Sequence, residues 1–280
     1  VYRYEKSGEL SGLTRVRALT QDDCHVFTTP AGIEGEIKIM LDLIGKVYKI
    51  FGFKDFWVRI STHDPANKTK YIGDPKVWKE SETALQKLIA GRGWKYEMGV
   101  GEAAFYGPKL DFMIKDALGR QWQLSTIQLD MNLPGRFNLE YTDADGSKKQ
   151  PVVIHRAILG STERFLGILI EHLAGAFPVW LSPVQVAIIP VGKAHAKPCE
   201  KLHKMFLAAG IRSEFEPAHD TVGYKIRKAE KQKIPYMIVI GDREAKLAKL
   251  SVRVRGKKAT KAMTPKSFIA LVQKQVEKRS

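Results

Sequence analysis

The strongest constraint on the fold of this 280-residue chain is a short proline-containing segment well past its midpoint. Pro178 and Pro183 both fall within the seven residues 177–183. Proline cannot continue a helix or a central strand, and such segments are typical of the boundaries between domains. We therefore expect two domains, residues 1–180 and residues 181–280.

Downstream of this segment, apolar runs alternate with amphipathic ones. Residues 184–190 and 235–240 have the composition of buried strands, whereas residues 197–209 and 223–232 have helical periodicity. Strands that alternate with helices favour a sheet whose strands run parallel and are covered by the helices. The pattern predicts a smaller α/β domain with a parallel-rich sheet.

Upstream of the segment, hairpins are separated by helices. Residues 109–115 and 120–130 flank a Leu-Gly turn, and residues 2–5 and 13–19 have the pattern of a second hairpin. The stretch that follows Gly32 carries apolar residues at helical spacing. This region is expected to be an α+β domain built on an antiparallel sheet.

The net charge of +16 is concentrated in the last third of the chain. Residues 183–280 hold 22 Lys and Arg against 8 Asp and Glu, a net charge of +14, so the first 182 residues carry only +2. A basic segment next to a nearly neutral one favours a polyanionic partner, most often a nucleic acid. A lysine-rich surface that only aids solubility is the alternative, and charge alone does not decide between them.

Cysteine content and hydropathy bear on the cellular location. Cys24 and Cys199 are the only two cysteines, a number that favours a reducing compartment over a disulfide scaffold. The most apolar stretch, residues 165–181, is interrupted by Glu171 and His172. We therefore expect a cytoplasmic protein that does not partner a membrane.

Arginines recur at positions where an anion would explain them. Arg3, Glu5, Arg15 and Arg17 lie on the N-terminal hairpin, where alternate side chains share a face. Guanidinium groups bind phosphate and carboxylate through two parallel hydrogen bonds. Arg164 falls in the first turn of a predicted helix, where the helix dipole disfavours a basic residue. Solvated surface arginines remain the simpler alternative for any one of these residues taken alone.

Several short motifs follow one another in a fixed order and together resemble one family. The motifs are Arg3-Tyr-Glu5 with Arg15-Val-Arg17, Thr20-Gln-Asp-Asp23 with His25, Phe105-Tyr-Gly-Pro-Lys109, Gln128-Leu-Asp130, and Ile154-His-Arg-Ala-Ile-Leu-Gly160 continuing to Arg164. Arg3-Tyr-Glu5 with Arg15-Val-Arg17 resembles motif 2 of class II aminoacyl-tRNA synthetases, and residues 160–164 resemble motif 3. The remaining motifs resemble the threonyl branch of that family.

The resemblance implies an enzyme that activates threonine with ATP and Mg²⁺ and transfers it to tRNA(Thr). It implies catalytic roles for Arg3 at the α-phosphate, Arg164 at the γ-phosphate, and Lys109 at a phosphate or carboxylate group. Such catalysis depends mostly on positioning and on charge stabilisation. The implied ATP-binding residues are Arg3, Glu5, Arg15, Gln123, Thr126, Gln128, Ser161 and Arg164. The implied threonine-binding residues are Gln21, Asp23 and Tyr106.

The resemblance also implies a zinc ion held by His25 and His155. The third protein ligand of the family, a cysteine, lies upstream of Val1, and the substrate's amino and hydroxyl groups complete the shell. A site that requires a hydroxyl group rejects valine, which a hydrophobic pocket would do poorly. Cys24 is a poor substitute for the absent ligand, because the neighbour of His25 on a strand faces the other side.

Two positions in the nucleotide site depart from expectation. Leu19 stands where the family usually has an aromatic residue that stacks on adenine. In a straight strand, Gln123 would also face away from Thr126 and Gln128. A bulge or kink near residues 124–125 would therefore be needed for these three side chains to share a site.

The last third resembles the family's anticodon-binding domain, and Arg243, Glu244 and Arg253 match positions that read the anticodon. We accordingly expect tRNA rather than DNA as the partner. The family's motif 1, which forms its homodimer interface, and its editing domain would lie before Val1. One alternative is a non-catalytic synthetase-like tRNA-binding or accessory protein. Another is a class II synthetase of prolyl type, against which His25 and His155 argue.

Overall fold

The computed structural model describes residues 1–67, 69–216 and 220–279. The chain divides into two compact units, Val1–Glu171 and His172–Ser280, and the division falls shortly before the proline-containing segment. Within the described ranges, no helix has the length and apolar character needed to cross a membrane.

The first unit is built on a six-stranded sheet with the order β1-β8-β5-β4-β2-β3. All neighbouring strands run antiparallel except β2 and β3, which confirms the expected antiparallel α+β core. A separate two-stranded hairpin consists of β6 and β7. The strands of this unit are β1 (Cys24–Thr28), β2 (Phe56–Thr62), β3 (Tyr96–Val100), β4 (Lys109–Lys115), β5 (Gln121–Asp130), β6 (Tyr141–Thr142), β7 (Lys148–Lys149) and β8 (Val152–Ala157).

Helices α1 (Ile33–Phe51) and α2 (Pro75–Ala90) pack against this sheet. The apolar stripe predicted for the first of them is buried, and Gly52 ends that helix in the left-handed conformation. Asp74 begins α2 by accepting the backbone N–H of Lys76. Two shorter helices, α3 (Leu133–Arg136) and α4 (Thr162–His172), complete the unit.

The N-terminal hairpin is antiparallel but irregular. Tyr2 pairs with Ala18 in an isolated bridge, and the N–H of Arg3 donates to the carbonyl of Arg17 at 2.8 Å. The two continuous strands predicted here are therefore wrong in extent. The Arg17 side chain explains part of the irregularity, because its Nε donates to the carbonyl of Glu5 at 3.0 Å and takes an acceptor that a ladder would use.

The second unit has a five-stranded sheet with the order β10-β9-β11-β12-β13. The first three strands in this order run parallel, as predicted, whereas the last two continue the sheet antiparallel. The last of them was not predicted, because its exposed residues lack an apolar alternation. The elements are β9 (Val186–Pro190), α5 (Ala196–Ala208), β10 (Ser213–Phe215), α6 (Val222–Lys231), β11 (Tyr236–Ile240), β12 (Leu250–Val254), β13 (Thr260–Met263) and α7 (Pro265–Lys278).

Candidate functional site

A row of polar side chains crosses the sheet of the first unit at directly paired positions. His25 on β1 pairs with His155 on β8, and His155 pairs with Gln128 on β5. Gln128 pairs in turn with Lys109 on β4, which pairs with Ser61 on β2. Residues directly opposite each other share a sheet face. Strand register therefore aligns side chains that are far apart in the sequence.

Of the bulge or kink expected in β5, the structure has a bulge. The pairing between β4 and β5 shifts so that residues 124–125 together oppose Phe112. As a result, the side chains of Gln123 and Thr126 hydrogen-bond to one carboxylate, and Gln128 Nε2 donates to Thr126 Oγ1 at 3.4 Å. The three side chains that the sequence assigns to the nucleotide site thus lie on one face.

The carboxylate at the centre of this face belongs to Asp111, which is almost fully buried. Its Oδ1 accepts Gln123 Nε2 at 2.8 Å and Thr126 Oγ1 at 2.9 Å. Its Oδ2 accepts Ser61 Oγ at 2.8 Å and pairs with Lys109 Nζ at 2.9 Å. A buried carboxylate is tolerated when its lone pairs are satisfied in this way. Asp111 therefore organises three residues assigned to the site, although it was not itself among them.

The arginines of motifs 2 and 3 come together at a second cluster. Burial and the nearby charges of Arg3 and Arg15 lower the pKa of Arg164, while Glu5 acts in the opposite direction. Such an effect requires the charged groups to lie near one another. Arg15 itself is paired with Glu5 at 3.0 Å and with Glu9 at 3.2 Å. An anion bound at this cluster would relieve the repulsion between the guanidinium groups.

The helix that carries Arg164 is fixed at its N-terminus. Ser161 Oγ accepts the backbone N–H of Arg164 at 3.2 Å, which makes Ser161 a capping residue of α4. The carboxylate of Glu163 accepts the N–H of Thr20. Gln21 forms an antiparallel bridge with Ser161, so Gln21 lies next to the start of this helix.

Asp22, which the sequence did not single out, holds the loop that precedes α4. Its carboxylate accepts the N–H groups of Ile158, Leu159 and Gly160 at 2.9, 3.0 and 3.1 Å. Gly160 has a φ of +70°, and a Cβ there would lie 2.4 Å from the carbonyl oxygen of Leu124. Only glycine fits this position, so the loop and α4 are docked tightly on β5.

Tyr106 and Asp23, two of the residues assigned to threonine, lie in one neighbourhood. The Tyr106 hydroxyl donates to Gln128 Oε1. Burial raises the pKa of Tyr106, and the charges of Asp130 and Asp23 raise it further. The ring of Tyr106 also lies against that of His155, with the centroids 5.5 Å apart. Acceptors and donors suited to a small zwitterion are thus concentrated beside the two histidines.

The two histidines fit part of the ligand set of a zinc ion. The ring of His25 lies nearly perpendicular to that of His155, with the centroids 4.8 Å apart. His155 Nε2 lies 3.0 Å from Asp130 Oδ2, and a buried carboxylate behind an imidazole is the usual support of a metal-binding histidine. Within residues 1–67, 69–216 and 220–279, no group of three or more His, Cys, Asp or Glu could hold a metal. The pair therefore fits as two ligands of an incomplete set.

In the second unit, the residues assigned to the anticodon follow β11 or lie on β12. Arg243 is exposed. Glu244 accepts Ser251 Oγ at 2.8 Å. Arg253 Nη2 pairs with Glu230 Oε1 at 2.5 Å. One arginine thus points to solvent, and the other two side chains are held by partners of the same unit.

These features define the class of the protein. A sheet of this order, with arginines on an N-terminal hairpin and at the start of α4, is the core of a class II tRNA synthetase. Residues 1–173 match the family model described as tRNA synthetase class II core domain (G, H, P, S and T), and residues 185–275 match the anticodon binding domain model. The chain belongs to the threonyl-tRNA synthetase family.

Similar proteins support that assignment over the whole chain. The chain is 46% identical to a threonine–tRNA ligase of Cytophaga hutchinsonii and 48% identical to one of Thermotoga maritima, each over 279 residues. In both comparisons the whole chain aligns with only 43% of the relative. The chain thus spans less than half the length of these curated relatives.

Comparison with solved structures supports the same family assignment. The crystal structure of the RNA binding domain of threonyl-tRNA synthetase from Cryptosporidium parvum superposes with a TM-score of 0.90 at 37% identity, over 98% of this chain and 68% of that one. A prolyl-tRNA synthetase from Cryptosporidium parvum superposes with a TM-score of 0.69 at 17% identity, over 99% of this chain and 52% of that one. The second likeness is one of fold alone.

Proposed function

We propose that this protein activates threonine with ATP and transfers the threonyl group to tRNA(Thr). The observation that carries the proposal is the cluster of Arg3, Arg15 and Arg164 beside the bulged strand β5. Positive charge concentrated in this way is suited to a polyphosphate. The names of the curated relatives supply the amino acid and the tRNA.

In the proposed reaction, a carboxylate oxygen of threonine attacks the α-phosphorus of ATP. The bond from that phosphorus to the oxygen bridging to the β-phosphate breaks, and pyrophosphate leaves. Mg²⁺, when bound with ATP, would offset part of the phosphate charge. Arg3 binds the α-phosphate, and Arg164 holds the γ-phosphate. Glu5, Gln123, Thr126 and Gln128 complete the nucleotide site. Because no proton moves in this step, orientation and charge stabilisation are the expected contributions of the protein.

Arg15 and Lys109 have supporting parts in this proposal. Arg15 is paired with Glu5 and Glu9, so it holds Glu5 in place as well as contributing charge near the phosphates. Lys109 is paired with the buried Asp111. Its ammonium group therefore donates a directed hydrogen bond to the substrate and adds little net positive charge. Ser161 acts through the helix that it caps.

The amino-acid side of the site takes threonine through Gln21, Asp23 and Tyr106. His25 and His155 would serve as two of the protein ligands of a zinc ion. When bound, that ion would supply open coordination positions for the amino and hydroxyl groups of threonine. Asp130 keeps the imidazole of His155 in one orientation. Selection of a hydroxyl group would then exclude valine.

The second unit carries tRNA recognition in this proposal. Arg243, Glu244 and Arg253 read bases of the anticodon, and the lysines around them contact the backbone. Such an enzyme acts in the cytoplasm, and we extend the proposal to that location and to a homodimer of the complete protein.

The test is threonine-dependent exchange of pyrophosphate into ATP by the full-length protein. We expect exchange with threonine, weaker exchange with serine, and none with valine or proline. Arg3→Ala should abolish exchange, while Arg92→Ala should retain it, because the Arg92 side chain bonds to Asp42 and to the carbonyl of Lys38 on α1. Exchange that proline supports and threonine does not would assign the prolyl specificity instead.

A non-catalytic tRNA-binding protein gives a different result. Such a protein should bind an anticodon stem-loop but take up no threonyl-adenylate analogue in isothermal titration calorimetry. Leu19 stands where the family usually has an aromatic residue that stacks on adenine. Leucine lacks that ring contact, so this position is the first to examine if nucleotide binding is weak. Leu19→Phe should tighten binding of the analogue if the protein is an enzyme.

A further inference from the structure

Arg164 is held in place by two electrically neutral groups. Its Nε donates to the carbonyl oxygen of Thr14 at 2.8 Å, and its guanidinium carbon lies 5.2 Å from the centroid of the Trp122 ring. Across the described part of the chain, no carboxylate oxygen lies within 4.0 Å of its nitrogens. Arg15, in the same cluster, has two glutamate partners. The charge of Arg164 is therefore oriented but not neutralised.

The Trp122 ring is itself fixed by a buried carboxylate. Its Nε1 donates to Asp116 Oδ2 at 2.7 Å. Asp116 also accepts the backbone N–H groups of Leu118 and Arg120, both at 2.9 Å, in the turn between β4 and β5. Burial raises the pKa of Asp116, but hydrogen bonds from Trp122 and Arg120 outweigh it and lower the pKa overall. An ionised carboxylate with these donors holds the indole in one orientation.

We propose that Trp122 is a positioning residue for Arg164, holding the guanidinium by its ring face so that the charge stays available to a phosphate group of ATP. The inference deepens the proposed function and depends on it for the identity of the anion. An aromatic face attracts a cation by about 0.5–2 kcal/mol without supplying a negative charge. A carboxylate in the same place would hold Arg164 more firmly but would compete with the phosphate.

Arg120 illustrates the difference between the two ways of holding an arginine. It lies 5.7 Å from the centroid of the same Trp122 ring. Its Nε pairs with Asp116 at 2.5 Å, and its Nη2 pairs with Glu171 at 3.3 Å. Its charge is thus matched within the unit, and Arg120 is not a second anion-binding group. Of the two arginines on this ring, only Arg164 has its charge free.

A double-mutant cycle on the 280-residue chain separates positioning from general packing. Trp122→Leu, Arg164→Ala and the double variant are compared by isothermal titration with MgATP and with AMP. We expect Trp122→Leu to weaken ATP binding by about tenfold and AMP binding by less than about twofold. Trp122→Phe, which keeps a ring face, should restore most of the affinity. Adding Trp122→Leu to Arg164→Ala should cause no further loss.

Trp94 provides a matched control, because its ring carries Arg92 at 5.4 Å in a similar contact. Trp94→Leu should leave the affinities for ATP and AMP unchanged. The inference would be overturned if Trp122→Leu weakened the binding of ATP and of AMP equally. It would also be overturned if the loss of ATP affinity in Trp122→Leu added to the loss in Arg164→Ala.

A nuclear magnetic resonance measurement tests the positioning without nucleotide. The Nε–H proton of Arg164 should carry a ring-current shift that Trp122→Leu removes and Trp94→Leu does not. If the full-length protein showed no threonine-dependent exchange, the proposed function would fail, while this shift would still test the contact between Trp122 and Arg164. A resonance unchanged by Trp122→Leu would contradict the positioning role.

Discussion

His25 and His155 face each other across the antiparallel pair β1–β8, at positions that the strand register makes directly opposite. The separation of 4.8 Å between their ring centroids is a consequence of this pairing and not of a local turn. His155 is fixed further by the buried Asp130. Strand register thus places the two imidazoles next to each other on the sheet.

Zinc binding should depend on these two imidazoles and on their support. Replacing either His25 or His155 with alanine should abolish stoichiometric zinc binding, because each removes a nitrogen ligand. Asp130→Asn should weaken binding by about 10–100-fold, since the carboxylate orients His155. The measurement is zinc affinity by competition with a chelator. Cys24→Ser is the control, because Cys24 neighbours His25 on the strand and faces away, so retention of zinc is expected.

Tyr48→Phe should destabilise the protein through the bulge in β5. The Tyr48 hydroxyl donates to Ser125 Oγ at 2.8 Å and accepts the N–H of Ser125 at 3.4 Å. Without the Tyr48 hydroxyl, the buried N–H of Ser125 would lose its partner, which would cost about 1–3 kcal/mol of stability. Urea unfolding should show that loss, and ATP affinity should fall because Gln123 and Thr126 depend on the bulge.

The control for this variant is Tyr236→Phe in the second unit, which removes a hydrogen bond to Gln275. It should lower stability without changing the affinity for ATP. Equal loss of ATP affinity in both variants would mean that the bulge is not responsible.

The bulge in β5 shows which part of the site could be predicted from the sequence and which part could not. Gln123, Thr126 and Gln128 cannot share a face of a straight strand, so their assignment to one site required a bulge or kink near residues 124–125, and the structure has a bulge there. The support from Tyr48 could not be predicted. It comes from α1, and nothing in the sequence indicates which strand position that buried hydroxyl meets.

Asp111 shows the same limit for the site itself. Alternation along β4 puts it on the same face as Lys109, which a sequence pattern can indicate. Its contacts with Ser61 and Gln123 depend on the register of β4 with its two neighbours, which short-range patterns do not encode. Asp22 was similarly missed, because the three N–H groups that it accepts come from a loop distant in the sequence.

Asp111→Asn should impair both stability and nucleotide binding. The amide keeps one acceptor oxygen, so some of the donors from Ser61, Lys109, Gln123 and Thr126 lose their partner. Breaking a buried ion pair on one side costs about 3–5 kcal/mol, and urea unfolding should report a loss of this order. The Michaelis constant for ATP should rise at least about tenfold. Val186→Ala in the second unit is the comparison, because it should lower stability while leaving ATP binding normal.

Stability at alkaline pH should depend on Cys199. Burial raises the pKa of Cys199 to about 12, while the nearby Lys225 acts in the opposite direction. The folded state therefore keeps the thiol proton that the unfolded chain releases from about pH 9 upward. This contribution to stability is complete below about pH 9 and is lost as pH rises towards 12, at up to about 1.4 kcal/mol per pH unit.

Replacing Cys199 with alanine should make the decline in the free energy of unfolding between pH 8.5 and 10.5, roughly, shallower than in wild type. Urea unfolding at several pH values measures this slope. Ile188→Val, in the same apolar cluster, has no titrating group and should lower stability equally at every pH. An unchanged slope in Cys199→Ala would mean that the thiol does not titrate differently in the two states.

The pairing of Arg253 with Glu230 leads to a prediction about RNA binding. Glu230 Oε1 lies 2.5 Å from Arg253 Nη2, so the carboxylate competes with any RNA group for that guanidinium. Glu230→Gln should free the arginine and tighten binding of an anticodon stem-loop. Arg253→Ala should weaken it by roughly 1–3 kcal/mol, the usual value for an arginine that reads a base. Filter binding at two salt concentrations measures both effects.

Arg255 separates base reading from a general loss of positive charge. Its Nη1 donates to the carbonyl of Lys233 at 2.6 Å and its Nη2 to that of Ala176 at 3.1 Å, and burial lowers its pKa. Arg255→Ala removes the same charge as Arg253→Ala but should mainly destabilise the unit. If both variants weakened RNA binding equally and with the same salt dependence, Arg253 would contribute only positive charge and would not read a base. In that case Glu230→Gln would increase the affinity for every RNA, whatever its sequence.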